Sequence, residues 1–191
     1  WLKMGAGINV NVPNWDYERE ITSRGYASVA GIDEVGRGTI AGPVVAAAII
    51  LPEDLEGDAI SLIRDSKQLS IKQRETAKEY LDKVAISTGI GAASHFEIDD
   101  IGIVGATRRA MARAVESLDT RPDHLLIDAI ELPELSIDQT SIIKGDSKSR
   151  SVAAASIVAK VTRDRLMTDV FDSKYPGYGF AEHKGYCTMF H

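Results

Sequence analysis

The chain has 191 residues, enough for one domain that buries a core without the help of disulfides. Hydrophobic residues make up 44% and charged residues 26%, a balance that excludes a disordered chain. The single cysteine, Cys187, excludes an internal disulfide and a paired-cysteine metal site, and it favours a reducing, cytoplasmic compartment.

The formal net charge of −6 argues by itself against a polyanionic partner. Residues 144–191 nevertheless carry 8 basic and 5 acidic side chains, so the C-terminal quarter is the part most compatible with nucleic acid. The longest apolar run, Val44 to Leu51, is too short to span a bilayer. The N-terminal residues lack the apolar stretch of a signal peptide, and we expect no membrane association.

The first predicted elements are a short polar helix near Tyr17 to Ser23 and two strands. The apolar segment Ser28 to Ile32 predicts a strand that ends at Asp33-Glu34. The unbroken apolar run Val44 to Leu51 predicts a buried strand that pairs with it antiparallel, because glycines and a proline between the two mark a tight connection.

Helices and strands alternate in the rest of the chain. Ser70, with Gln73 three residues later, predicts the capping box of a helix. The elements predicted after that helix are a strand over Ser87 to Ser94, a helix over Ile103 to Leu118, strands over His124 to Ile127 and Ser141 to Ile143, and a helix over Ser151 to Phe171. This order predicts an α/β domain with a mixed sheet and helices on its faces.

Carboxylates end three of the strand-like segments: Asp33 and Glu34, Asp128, and Asp146. Sites in open α/β sheets form outside strand ends, so these side chains are expected to converge. Oxygen-only ligands suit Mg²⁺ or Mn²⁺, and no histidine pair has the spacing of a zinc site. An acid at a strand end is more often a solvated turn residue, however, and the pattern alone leaves both interpretations open.

Five segments resemble the motifs of the ribonuclease HII family, in the family's order. They are GIDEVGRGTIAGPVVAAAIIL (31–51), DSKQLS (65–70), LLIDA (125–129), KGDSKSRSVAAASIVAKVTRDRLM (144–167) and YPGYGFAEHKGYCT (175–188). The resemblance implies a ribonuclease H-like fold with a central mixed five-stranded sheet flanked by helices. It also implies that Asp33, Glu34, Asp128 and Asp146 form the catalytic, metal-binding set. Residues 26–191 would be the catalytic domain, and residues 1–25 an irregular or helical extension.

Arg37 distinguishes this family from its sister, ribonuclease HIII. The chain has Gly36-Arg37-Gly38, whereas ribonuclease HIII typically has GTG and an additional N-terminal domain, which we do not expect in residues 1–25. The resemblance therefore favours ribonuclease HII.

The resemblance implies an endonuclease that hydrolyses the RNA strand of RNA/DNA hybrids and cuts 5′ of single ribonucleotides in DNA, with two Mn²⁺ or Mg²⁺ ions. Gly36, Arg37 and Gly38 would contact the substrate, the two glycines allowing close approach to the 2′-hydroxyl. Tyr186 would pack on the sugar at the RNA–DNA junction. Lysines would contact phosphates: Lys67, Lys144, Lys148 and Lys184. We expect a monomer.

Two other functions are considered. A magnesium-dependent enzyme acting on a small phosphoester would be indicated by a GxxxxGK[ST] loop, which is absent from the sequence. A non-catalytic nucleic-acid-binding module would be basic and rich in aromatic residues, whereas this chain is acidic with 6% aromatic residues.

Overall fold

The computed structural model describes residues 12–53, 55 and 57–191. The first part of the predicted extension, residues 1–11, lies outside the described residues. The helices are α1 (Asp16–Ser23), α2 (Ile71–Val84), α3 (His95–Glu116), α4 (Arg150–Arg165), α5 (Asp172–Lys174) and α6 (Phe180–His183). The strands are β1 (Val29–Val35), β2 (Val44–Ile50), β3 (Ser87–Ala93), β4 (His124–Asp128) and β5 (Asp138–Ile142).

Within the described residues, these strands form one five-stranded mixed sheet in the order β3-β2-β1-β4-β5. Strand β2 is antiparallel to both of its neighbours, β1 and β3, while β4 runs parallel to both β1 and β5. One apolar core lies between the sheet and α3, and a second lies between the sheet and helices α2 and α4. This architecture confirms the predicted α/β fold with a mixed five-stranded sheet.

The central strand β1 is longer than predicted. The sequence predicted that it ends at Asp33-Glu34, but its ladder with β2 continues through the pair Val35–Val45. Backbone pairing between β2 and β1 continues beyond the apolar segment, so Asp33 and Glu34 lie within the strand. Their backbone positions are therefore fixed by the sheet.

Two further boundaries differ from the prediction. β5 begins at Asp138 and not at Ser141, because it is a polar edge strand that no apolar pattern marks. Helix α3 begins at His95 and not at Ile103, because Ser94 and Glu97 form a capping box. The apolar pattern is interrupted at Gly102, where φ is 73° and the helix is kinked.

Predicted features of the other helices are confirmed. Ser70 and Gln73 form the capping box of α2. The predicted helix over Ser151 to Phe171 corresponds to α4 followed by a π-helical segment, Leu166–Phe171. Because α4 is rich in alanine, it packs close to β1, where a Cβ on Gly31 would lie 2.2 Å from the backbone carbon of Ser151. Among the described residues, no helix is long and apolar enough to cross a bilayer.

The contact between β3 and α3 generates a prediction about stability. A Cβ on Gly91 would lie 2.0 Å from the carbonyl oxygen of Ala110, so Gly91→Ala should lower the free energy of unfolding by about 1–3 kcal/mol or more. The matched control is Gly105→Ala within α3, where a Cβ would meet only the flexible Ile101 side chain at 3.3 Å. That variant should gain about 0.5–1 kcal/mol from helix propensity. Urea denaturation measures both, and equal stabilities would contradict the proposed backbone contact.

Candidate active site

The parallel pairing of β1 with β4 brings two of the acidic residues together. The register pairs Ile32 with Ile127, so Asp33 and Asp128 follow paired residues on neighbouring strands. Glu34 follows Asp33 in β1, and its backbone N–H donates to Oδ1 of Asp33 at 2.8 Å. The Asp33 side chain is buried, with the residue only 5% exposed.

A short 3₁₀ turn, Gly145–Ser147, carries the fourth acid, Asp146. The backbone N–H of Gly145 donates to Oδ1 of Asp128 at 2.7 Å, which joins this turn to the end of β4. Asp146 is buried like Asp33. All four acids singled out in the sequence therefore lie in one region of the structure.

The electrostatics of this cluster favour added positive charge. Burial raises the pKa of Asp33 well above its ordinary value, and the charges of Glu34 and Asp128 raise it further. Burial also raises the pKa of Glu34, although Arg37 opposes the rise. For Asp128 burial again raises the pKa, against the hydrogen bond from Gly145. Three neighbouring carboxyl groups thus resist ionisation in the absence of a further cation.

Two cationic side chains lie beside the cluster. Nη1 of Arg37 is 3.3 Å from Oε1 of Glu34, and Nζ of Lys67 is 3.3 Å from Oδ2 of Asp146. Burial lowers the pKa of Lys67, but the charges of Asp146 and Asp65 outweigh this, and the net pKa is raised. Since the Lys67 side chain is 79% exposed, its ion pair contributes little to stability and its ammonium is accessible to a ligand.

Two serines that sequence reasoning missed lie beside the cluster: Ser156 of α4 bonds to Asp33, and Ser66 of the DSKQLS segment bonds to Ser156. Ser156 makes a side-chain hydrogen bond with Asp33, which lowers the pKa of that carboxyl against the effect of burial. The hydroxyls of Ser66 and Ser156 are 3.0 Å apart and buried. Ser156 interrupts the apolar residues of α4, and that hydroxyl in an alanine-rich stretch is the one signal that could have indicated it.

The Gly36-Arg37-Gly38 loop continues directly from β1. Gly36 is buried with φ of 113°, and a Cβ there would lie 2.6 Å from the carbonyl oxygen of Pro43. Gly38 is exposed, and a Cβ there would meet nothing within 4 Å. Gly36 is therefore required for packing of the loop, whereas Gly38 leaves open space on the loop's outer side.

The fully buried guanidinium of Arg163, also missed in the sequence, joins this loop to the C-terminal tail. It donates to the carbonyl oxygens of Pro43, Ala41 and Lys184 at 2.9, 3.0 and 2.8 Å, and to Oγ1 of Thr39 at 3.0 Å. Burial lowers the pKa of Arg163. A buried arginine with four acceptors fixes the loop and the tail relative to each other.

Tyr186 lies on this braced tail, next to the glycine loop. It forms an antiparallel β-bridge with Thr39, and the N–H of Ile40 donates to the carbonyl oxygen of Gly185 at 3.0 Å. Its half-buried ring lies 5.0 Å from Nζ of Lys160 and 5.8 Å from Cζ of Arg163. The structure therefore brings Tyr186 together with the loop predicted to contact the substrate.

The remaining lysines are not joined to the carboxylates by side-chain bonds. The ammonium of Lys184 donates to Oγ1 of Thr168 at 2.6 Å and also to the carbonyl oxygen of Ala181. Lys148 uses its backbone carbonyl to accept from the N–H of Asn14 at 3.0 Å. Lys144 is exposed and has a left-handed backbone conformation with φ of 57°.

The chemistry of the cluster fits hard divalent cations. Its donors are all carboxylate oxygens, and Oε2 of Glu34 is buried with no hydrogen-bond partner among the described residues. Among all the residues that the structure describes, no three acidic, histidine or cysteine side chains are close enough to hold one ion. Binding of one ion by three of these carboxylates would therefore require them to converge further. Arg37 and Lys67 each pair with one oxygen of the cluster.

Comparisons with known proteins agree with one another. The model of the family described as Ribonuclease HII matches residues 30–191. The chain is 53% identical over 190 residues to Ribonuclease HII of Acetivibrio thermocellus, covering 100% of the chain and 73% of that protein. It is 48% identical over 179 residues to Ribonuclease HII of Dehalococcoides mccartyi, covering 94% and 84%. The crystal structure of ribonuclease H2 from Pyrococcus horikoshii is similar with a TM-score of 0.70 and 28% identity, covering 85% of the chain and 82% of that structure.

The buried charge of Asp33 generates a prediction about metal-free stability. The pKa of Asp33 is raised in the folded state, so ionisation of this carboxyl destabilises the folded protein. The contribution of the protonated carboxyl to the free energy of unfolding is complete below the unfolded pKa of about 4 and is lost as the pH rises through the folded pKa. Asp33→Asn should therefore melt higher than the wild type at neutral pH in EDTA, by at least about 2–4 °C, the effect of 1 kcal/mol in a protein of this size. The difference should shrink toward pH 4.

Thermal melts from pH 4 to 8 test this expectation. Glu116→Gln, which removes an exposed carboxylate from α3, is the control and should follow the wild type at each pH. A lower melting temperature for Asp33→Asn at neutral pH would show that Asp33 stabilises the fold.

Proposed function

Because this chain belongs to the ribonuclease HII family of metal-dependent endoribonucleases, we propose that it hydrolyses the RNA strand of RNA/DNA hybrids and cuts 5′ of single ribonucleotides in duplex DNA. The products would be 3′-hydroxyl and 5′-phosphate ends. The observation that carries the proposal is the buried cluster of carboxylates at neighbouring strands, with three pKa values raised together.

Asp33, Glu34, Asp128 and Asp146 are the proposed ligands of two Mg²⁺ or Mn²⁺ ions. When bound, such ions lower the pKa of the attacking water and stabilise the charge on the leaving 3′-oxygen. The protein's own contribution is to hold oxygen donors in a buried place where their charges repel, so that binding of cations is favoured. Arg37 and Lys67 balance part of this charge before the substrate arrives.

We propose that the Gly36-Arg37-Gly38 loop and Tyr186 recognise the sugar of the substrate. Gly38 leaves open space through which a backbone can approach a 2′-hydroxyl, the group that distinguishes RNA from DNA. Gly36 and Arg37 belong to the same loop, and Arg163 fixes that loop against the segment that carries Tyr186. A flat ring held in this way favours a deoxyribose over a sugar with an additional hydroxyl.

The lysines are proposed to contact phosphates, and their ammonium groups differ in how accessible they are to a phosphate. Lys67 lies beside the carboxylates and its side chain is exposed, so a phosphate can reach it directly. Lys144 and Lys148 flank the turn that carries Asp146. A phosphate at Lys184 would have to displace Thr168 and Ala181 from its ammonium.

We also propose a monomer that acts in a reducing, cytoplasmic compartment, in agreement with an exposed free thiol at Cys187. The division into an extension over residues 1–25 and a catalytic domain over 26–191 stays a prediction.

The first functional experiment uses a labelled DNA duplex with one embedded ribonucleotide and a labelled RNA/DNA hybrid. The wild type should nick both with Mg²⁺ or Mn²⁺ and neither in excess EDTA. Asp33→Asn should lose several powers of ten in rate, because it removes the charge of one of the proposed metal ligands. Glu116→Gln should cleave like the wild type. Wild-type cleavage in EDTA, or tight binding without any cleavage, would contradict the proposal, and the second result would favour a binding module.

Tyr186→Ala should impair cutting at a single ribonucleotide more than cutting within a long hybrid. The ring contact with the junction sugar is worth roughly 1–3 kcal/mol, a difference of about ten- to a hundredfold in kcat/KM. Tyr186→Phe keeps the ring and should keep the preference. Both substrates are compared at one salt concentration, because phosphate contacts make affinity salt-dependent. Equal losses on both substrates would indicate that Tyr186 only packs the tail beside Lys160 and Arg163.

A further inference from the structure

The segment before β1 pairs with the loop that carries Asp146. The backbone N–H of Asn14 donates to the carbonyl oxygen of Lys148 at 3.0 Å. The N–H of Arg150 in turn donates to the carbonyl oxygen of Asn14 at 3.0 Å. These bonds form a parallel β-bridge between Asn14 and Ser149. Residues far apart in the sequence are thus joined immediately beside the acidic cluster.

Glu18 of α1 extends this pairing with a buried carboxylate that is only 7% exposed. Its Oε1 accepts from the hydroxyl of Ser149 at 2.6 Å, from the N–H of Ser151 at 2.8 Å and from the hydroxyl of Ser151 at 2.7 Å. Its Oε2 is buried with no hydrogen-bond partner among the described residues. Three donors on one oxygen fix both the carboxylate and the two serines.

The hydrogen bonds continue from Ser149 to the acids. The N–H of Ser149 donates to the carbonyl oxygen of Gly145 at 2.9 Å, and the N–H of Gly145 donates to Oδ1 of Asp128 at 2.7 Å. Gly145 directly precedes Asp146. A continuous path therefore connects Glu18 with two of the four carboxylates, although Glu18 itself contacts none of them.

We propose that Glu18 is a positioning residue for the cation site: through Ser149 and Gly145 it holds the Gly145–Ser147 turn where Asp146 and Asp128 can bind a divalent ion. The inference rests on the proposed function, and it assigns a role to a residue outside the 30–191 range that matches the family model. Groups that orient metal ligands in this way affect binding of the ion even though they do not touch it.

The test measures Mn²⁺ binding without substrate, by the paramagnetic resonance signal of the free ion. Glu18→Ala removes the acceptor and should weaken Mn²⁺ binding by about tenfold, the lower range for loss of a group that orients a ligand. Glu18→Gln keeps Oε1 as the acceptor and should bind within about twofold of the wild type. Hydrogen exchange of the Ser149 and Ser151 amides should be faster in Glu18→Ala and unchanged in Glu18→Gln.

Two control variants on the same helix separate positioning from stability. Glu20→Ala removes an exposed glutamate, and Ile21→Ala creates a cavity in the core without touching the Glu18 carboxylate. Both should bind Mn²⁺ like the wild type, even if Ile21→Ala melts as low as Glu18→Ala. If Glu18→Ala does not fold, Ser151→Ala, which removes one donor to Oε1, should give a smaller loss of Mn²⁺ affinity in the same direction.

Other results overturn the proposal. They are wild-type Mn²⁺ affinity in folded Glu18→Ala, an equal loss in Ile21→Ala, a loss in Glu18→Gln as large as in Glu18→Ala, or wild-type affinity in Ser151→Ala when Glu18→Ala cannot be studied. The proposed nuclease activity is judged separately by wild-type cleavage of the hybrid. A wild type that binds Mn²⁺ through a Glu18-dependent turn but cleaves nothing would contradict the nuclease and support the positioning role.

Discussion

The close approach of buried carboxylates that repel one another is the constraint that the rest of the site has to satisfy. The parallel pairing of β1 with β4 places Asp33 beside Asp128, and burial raises the pKa values of both. Such a cluster is unfavourable unless the surrounding structure holds it together. The sheet does so by fixing the backbone of β1, which is paired with neighbours on both sides up to Ile32 and with β2 up to Val35.

The other contacts of the site compensate for this cost in different ways. Ser156 and the N–H of Gly145 supply hydrogen bonds to the carboxylates, while Arg37 and Lys67 supply charge from the exposed side. The buried side is thus held by neutral donors and the open side by cations.

Much of the fold and of the candidate site could be predicted because the signals are local. Apolar runs mark the central strands, and the acids occupy their ends or follow them. The edge strand at Asp138 and the first turns of α3 before Gly102 were missed, since a polar edge and a kink break the period on which such predictions depend. Glu18 and Arg163 were missed for another reason: the bonds of Glu18, and those of Arg163 to the loop after β1, are made to segments more than a hundred residues away, which no local pattern records.

The bond between Glu18 and Ser149 also has a consequence for biosynthesis. The two residues are 131 positions apart, and a ribosome adding about 5–20 residues per second needs roughly 7–26 seconds between them. During that interval the nascent chain contains Asp33 and Glu34 but lacks the turn that completes the cluster. The acidic cluster is therefore completed only after the Gly145–Ser147 turn and Ser149 have been synthesised.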